Sequence, residues 1–193
     1  MARRTRAEME ETRLLLLETA RKIFCYKGYA DASMDDLTAQ AGLTRGALYH
    51  HFGDKKGLLS AVVAQIDAEM DARLQAISDN TADLWLAFSQ RCHTYLAMAL
   101  EPEIQRIIMR DARAILSDKA SEPSQNCIIS MSAMIKQLID NKTLKDVDPE
   151  TLALFIYGSL EAAALWIANS HGGDEQLRKA QLTLDILLNS LRA

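Results

Sequence analysis

Apolar residues recur along the chain at intervals of three and four, and this spacing predicts nine helices and no strand. The first helix runs from about Glu8 to Tyr26, with Leu16, Leu17, Ala20, Ile23 and Phe24 on one face. Gly28 stands where a left-handed C-terminal residue belongs. The second begins at Ser33, with Asp36 three residues on in a capping-box pattern, and ends at Ala41-Gly42. The third is short, from Thr44 as cap to His50 or His51, and the fourth follows the cap residue Asp54 to about Ser78. Five more are read at about Ala82–Ala99, Pro102–Ser117, Ser124–Asp140, Pro149–Ser170 and Asp174–Leu191, with both helix-starting prolines where a missing N–H costs nothing. Of the breaks between them, Asp118 to Asn126 is the most polar and is expected to be mobile.

Composition narrows the class. In 193 residues, 49% are hydrophobic and 25% charged, enough for one core or two small ones, and 3 prolines with 8 glycines favour an all-α fold. With no run of 18 apolar residues, no membrane span is expected. The basic start at Arg3, Arg4 and Arg6 is read as a disordered tail able to reach DNA or simply solvated; no signal-peptide core follows it, so the expected location is cytoplasmic. Cys25, Cys92 and Cys127 are odd in number and far apart, which argues against structural disulfides. The net charge of −4 is uneven: residues 1–60 hold ten Lys/Arg against eight Asp/Glu, and the rest twelve against eighteen. An anionic partner is therefore met by the N-terminal third.

Residues Ser33 to Lys56 carry the chemistry. Two short helices joined by Ala41-Gly42-Leu43 fit a helix-turn-helix. Met34, Leu37, Ala41, Leu43, Leu48 and Phe52 can close a small core against the first helix, leaving Arg45, Gly46, Ala47, Tyr49 and His50 outward. A seven-residue rod is about 10 Å long and enters a major groove about 12 Å wide. Gly46 and Ala47 let the backbone approach base edges, Arg45 can fork to a guanine, and Thr44 with the helix N-terminus can hold a phosphate. Lys55 and Lys56 sit in the first turn of the fourth helix, at the positive end of its dipole, where a docked phosphate turns a cost into a gain; the plain alternative is two solvated lysines.

The segments Ala20–Phe24, Lys27–Met34, Leu37–Phe52 and Asp54–Leu59 together resemble the DNA-binding signature of the TetR/AcrR repressor family over about the first 60 residues. Its most specific part here is Gly42-x-x-x-Gly46-x-Leu48-Tyr49-x-His51-Phe52, followed by Lys55. The resemblance implies base or groove contacts from Thr44, Arg45, Gly46 and Ala47, backbone contacts from Tyr49, His50 and Lys55, and packing by Phe52. Ser33, at the start of the second helix, is placed with the DNA-binding set; His51 is read as packed, and Asp35 as helix support only. The implied organisation is a helix-turn-helix domain over residues 1–54 and a helical ligand-binding and dimerisation domain over 55–193. The implied function is a ligand-responsive repressor that binds double-stranded operator DNA as a homodimer, released by a small-molecule effector of unknown identity.

The eighth helix is apolar nearly all round, and the ninth carries Leu177, Ala180, Leu184, Leu187, Leu188 and Leu191 in one stripe. A partner subunit would cover what a small domain cannot. Trp85, Phe88, Cys92 and Tyr95 on the fifth helix, with Met134 on the seventh, are candidate linings of an effector cavity as well as ordinary core. Arg110, His93 and Glu161 are its candidate polar anchors, Glu161 because a lone acid in an apolar helix is costly unless paired. Three other readings stand beside this one: a thiol switch centred on Cys25, DNA binding without a ligand, and activation instead of repression. An enzyme is disfavoured, since no His-Glu-x-x-His, phosphate loop or nucleophile elbow is present and no metal or cofactor is implied.

Overall fold

A computed structural model describes residues 5–116 and 122–193. Among them are nine helices and no strand: α1 Arg6–Lys27, α2 Met34–Ala41, α3 Arg45–Phe52, α4 Lys55–Asn80, α5 Leu84–Met98, α6, α7 Glu122–Asp140, α8 Pro149–Ala168 and α9 Gly173–Ser190. Helix α6 is a π-helical stretch, Ile104–Ala112, closed by an α turn, Arg113–Ile115. The all-α expectation holds element by element. Of the polar break expected at Asp118–Asn126, residues 118–121 lie outside the described residues, as do Arg3 and Arg4, while residues 122–126 form the start of α7 and not a loop. Two compact units are formed, one from residues up to 66 with 106–116, the other from 67–105 with 122–193.

In the first unit α1 starts two residues earlier than its apolar pattern suggests, because Thr5 and Glu8 make a reciprocal capping box. Thr5 Oγ1 accepts from the Glu8 amide at 3.2 Å, and Glu8 Oε2 accepts from the Thr5 amide at 2.7 Å. Arg6 is thus the first helical residue and not part of a disordered tail. Leu16, Leu17, Ala20, Ile23 and Phe24 are buried as expected, and α1 packs on both α2 and α3. Leu37 and Leu48 are fully buried at the centre of this small core, while Met34, Ala41, Leu43 and Phe52 are half-buried at its edge. Burying one such leucine stabilises by roughly 1.5–3 kcal/mol.

Gly28 ends α1 with φ 84° and ψ 166°, a positive φ but not the left-handed helical conformation expected there. The reason is α6. A Cβ on Gly28 would meet Arg106 Nη2 at 1.8 Å, and the same Nη2 donates to the Lys27 carbonyl at 3.0 Å. Asp111 accepts from the Tyr29 amide at 2.7 Å, so α6 is fastened onto the α1–α2 turn from two sides. The π ladder stacks residues five apart, and the buried Ile104 and Met109, like Ile107 and Ala112, have that spacing.

The second unit is built on α5, which packs on α7, α8 and α9, while α8 also packs on α7 and α9. Asp83 caps α5, and Asp148 caps α8 ahead of Pro149 in its first turn. Phe88, Leu96, Met98 and Ile135 are fully buried in its core. His93 Nε2 lies 2.7 Å from Asp185 Oδ1, tying α5 to α9. By length and composition alone α8 is apolar enough to cross a membrane, a test that the core helix of a folded unit also passes. Its neighbours α5, α7 and α9 instead cover one side of it.

Candidate nucleic-acid interface and ligand cavity

Helices α2 and α3 are joined at Gly42, whose φ of 64° and ψ of 27° are left-handed, a conformation glycine adopts without steric cost. The Leu43 amide donates to the Thr38 carbonyl at 2.9 Å, closing the α2 end. Thr38 is buried, yet its hydroxyl is satisfied by the carbonyls of Met34 and Asp35 at 3.0 and 3.2 Å. Ser33 Oγ accepts from the Asp36 amide at 3.0 Å, and Thr44 Oγ1 from the Ala47 amide at 3.3 Å. With both helix starts fixed, Thr44, Arg45, Gly46, Tyr49 and His50 are exposed, and Ala47 is half-buried beside them. Ser33 is also exposed, at the start of α2. A Cβ at Gly46 would meet only Thr44 Oγ1, at 3.9 Å, so internal packing does not demand a glycine there.

The charges on this face are arranged in pairs. The carboxylate of Asp35 takes Arg45 through both Nε and Nη2, a two-pronged contact across the turn. That contact draws the Asp35 carboxyl below its usual range and holds the Arg45 guanidinium above its own. Asp35 is therefore more than the helix support expected of it. Asp36 accepts from Lys27 Nζ at 3.0 Å, which also lowers its carboxyl. Lys55 Nζ sits 4.4 Å from the centroid of the Tyr29 ring and donates to the Ala30 carbonyl at 3.3 Å, while Lys56 is exposed. His50 and His51 meet edge to face, with centroids 5.3 Å apart.

In the second unit a cavity of about 30 Å³ lies among α4, α5, α7 and α8, lined by Leu74, Phe88, Arg91, Cys92, Tyr95, Cys127, Met131, Met134, Tyr157 and Leu160. Phe88, Cys92, Tyr95 and Met134 are brought together as expected. Four expected residues are not. Trp85 stacks near Phe88, with centroids 6.2 Å apart, and packs under Arg192; Arg110 is exposed on the π segment and belongs to the first unit; His93 is engaged by Asp185. Glu161 does not line the cavity; burial, then the charge of Glu161, pushes the Tyr157 hydroxyl up to about 12, and burial, then Tyr157 and Glu161, raises that of Tyr95.

The missed polar group is Arg91. It lines the cavity and donates to Ser78 Oγ at 3.0 Å and Ser130 Oγ at 3.1 Å, with Met134 Sδ 3.2 Å away. Burial pushes the thiols of Cys92 and Cys127 up to about 12, Cys127 also facing Asp71 at 3.3 Å. Neither is the thiolate a redox switch needs. On the other side of α8 and α9, Leu154, Phe155, Trp166, Leu182, Ile186 and Leu187 are exposed, Phe155 and Ile186 by 72% each.

Two family models match this chain: "Bacterial regulatory proteins, tetR family" over residues 16–62, and "Tetracyclin repressor-like, C-terminal domain" over residues 85–191. The crystal structure of a TetR-family transcriptional regulator from Pectobacterium atrosepticum is 59% identical and superposes with a TM-score of 0.91, covering 98% of each chain. The Transposon Tn10 TetC protein of Escherichia coli is 30% identical over 145 residues, 74% of this chain and 73% of its own. The HTH-type transcriptional regulator SrpR of Pseudomonas putida is 47% identical over 64 residues, 33% of this chain and 30% of its own length. The chain therefore belongs to the TetR family and is a DNA-binding transcriptional regulator.

Proposed function

We propose that the protein is a cytoplasmic repressor that binds a palindromic operator as a homodimer and is released by a small-molecule effector. The observation that carries the reading is the exposed row from Thr44 to His50 on α3, held at a fixed angle by Gly42 and two side-chain caps. Thr44, Arg45, Gly46 and Ala47 face the base edges in this reading, and Ser33, Tyr49, His50 and Lys55 the backbone. Gly46 supports it, since the fold leaves room there for a side chain and only an approaching body would exclude one. In this reading residues 1–54 read DNA and 55–193 hold the effector and the partner subunit, although the start of α4, with Lys55, and most of α6 belong to the first compact unit.

Two reading heads require two copies. The exposed apolar residues of α8 and α9 form a surface suited to pairing with its own twofold mate, two helices from each subunit making a four-helix contact. Sedimentation at micromolar concentration tests this. A dimer is expected for the native chain, and Phe155→Asp with Ile186→Asp should give folded monomers that no longer hold a palindromic duplex. A native chain that stays monomeric would overturn it.

An effector of ordinary size needs a pocket of about 300 Å³ or more. The cavity of about 30 Å³ is too small for one, so binding requires α5, α7 and α8 to part. A ligand that binds only the parted state shifts the population toward it, by as much as its affinities for the two states differ. The lining suits an apolar molecule, Phe88, Met131, Met134 and Leu160 supplying contact and Arg91 and Tyr157 polar anchoring, with Glu161 acting through the tyrosines. Sequencing the duplexes retained from a random pool would give the operator. Competing that complex with a panel of apolar small molecules would then find the effector, and equal effector affinity for Glu161→Gln and the native chain would remove Glu161 from its role.

A further inference from the structure

We propose that Asp35 is a positioning residue for base readout: by gripping one edge of the Arg45 guanidinium it turns the other edge into a rigid two-donor fork for guanine. The inference rests on the reading of α3 given above. Arg45 begins α3 and Asp35 lies in the first turn of α2, so the helix-turn-helix angle itself brings them together. The carboxylate binds Nε and one hydrogen of Nη2, the side-on edge. What remains is the end-on edge, Nη1 and the second hydrogen of Nη2, two parallel donors whose spacing matches guanine O6 and N7.

Three consequences separate this from an incidental surface pair. The two side chains are about 60% exposed, so the contact adds little to stability and its effect falls on presentation. An arginine already fixed in one rotamer loses less freedom when it meets a base. Its charge is also balanced locally, which weakens its pull on phosphate and leaves geometry, not charge, to decide what it contacts. The opposite reading of the same contact is a lock that keeps Arg45 off DNA, and the two predict different binding.

The test uses the full-length chain and the duplex it selects from a random pool. Arg45→Ala first identifies the guanine position whose preference it relaxes. Asp35→Asn, which keeps the shape and removes the charge, should then lower discrimination between guanine and adenine at that position by about tenfold. Affinity for a scrambled duplex should rise a fewfold. Asp35→Glu should restore part of the discrimination, and adding Asp35→Asn to Arg45→Ala should change it no further. The proposal is overturned if Asp35→Asn keeps the guanine preference, with or without tighter operator binding, the latter being the signature of a lock. It is equally overturned if Asp35→Asn lowers discrimination as much in the Arg45→Ala background as alone. If Arg45→Ala itself leaves every base preference intact, the reading of α3 fails and the role of Asp35 falls with it. Matching helical circular dichroism across the variants keeps a folding defect from passing as an effect on readout.

Discussion

The two units treat an arginine in opposite ways. Arg45 stands in solvent and is gripped by a carboxylate, while Arg91 is turned inward and held by two serine hydroxyls and a thioether. The first arrangement neutralises a charge but leaves one of its edges on show. The second shelters a charge among groups that orient it without cancelling it. In a solvent-exposed ion pair, the cost of fixing two side chains nearly equals the Coulombic gain, so the contact orients Arg45 while adding little to stability. In a confined setting the effective dielectric is lower, and hydrogen bonds from neutral partners become the main support of Arg91. The first unit thus presents an exposed and oriented charge. The other unit encloses a cavity of about 30 Å³ with Arg91 in its lining.

That contrast is sharpened first by removing apolar volume from each core. Phe88 is fully buried beside the cavity, and Phe88→Ala should cost about 3–5 kcal/mol, seen as a fall in the denaturant midpoint. Leu48, equally buried, should cost about 2–5 kcal/mol on truncation to Ala, and should abolish DNA binding even where the chain remains largely helical. If Leu48→Ala left operator affinity untouched, α3 would not be the preset rod described here.

The next effect in size concerns readout alone. Arg45→Ala should cost about 1–3 kcal/mol of discrimination at one base pair per half-site, measured by competition between matched and substituted duplexes. Thermal stability should barely move, since the pair it breaks is exposed. A large loss of stability with unchanged base preference would reverse the assignment.

Asp67 offers a pH test of the second unit. Burial, and then the neighbouring Asp71, push its carboxyl up to about 6. The folded chain therefore holds this proton more tightly than the unfolded chain, whose carboxyl titrates near its ordinary value of about 4. The sign follows: between about pH 4 and 6 this group lowers stability as pH rises, and its full cost is present above 6. Asp67→Asn should flatten that part of the stability profile and stabilise the chain at pH 7.5 by about 1–2 kcal/mol. An unchanged profile would mean that the carboxyl is better solvated than its position implies.

How much of this was legible from residues alone depended on distance along the chain. Gly42, Ser33 and Thr44 act on neighbours two to three positions away, so the turn and both caps could be read directly, and with them the exposed row on α3. Asp35 and Arg45 are ten positions apart and meet only because the turn sets an angle between two helices; each was noticed, their pairing was not. On α5 the aromatic and cysteine spacing marked the cavity wall, but nothing along the chain singled out Arg91 until α4 and α7 supplied Ser78 and Ser130. Arg110 is offered as a cavity anchor by the sequence, whereas it belongs to the first unit, an assignment set by tertiary packing that periodicity does not register. In α9 the stripe offered to a partner subunit is, at Leu184 and Leu188, buried in the core of the chain itself. Leu182 and Ile186, on the face that stayed exposed, gained meaning only once the neighbours of α9 were known.

The smallest effect is expected at Lys55, where opposing contributions nearly cancel. A cation in the first turn of a helix costs roughly 0.3–1 kcal/mol against the dipole. The Tyr29 ring beneath Nζ returns about 0.5–1 kcal/mol at an exposed site, and the Ala30 carbonyl at 3.3 Å adds a hydrogen bond. Lys55→Ala should therefore leave the melting temperature almost unchanged. On DNA the balance differs, because a phosphate docked at the start of α4 would be drawn to both the dipole and the ammonium. Lys55→Ala should weaken every duplex alike and reduce the slope of log affinity against log salt by about one. Lys55→Arg, which keeps the charge above Tyr29, should retain the slope. A slope unchanged in Lys55→Ala but reduced in Lys56→Ala would move the phosphate contact to the exposed neighbour and leave Lys55 as a brace for the α1–α2 turn.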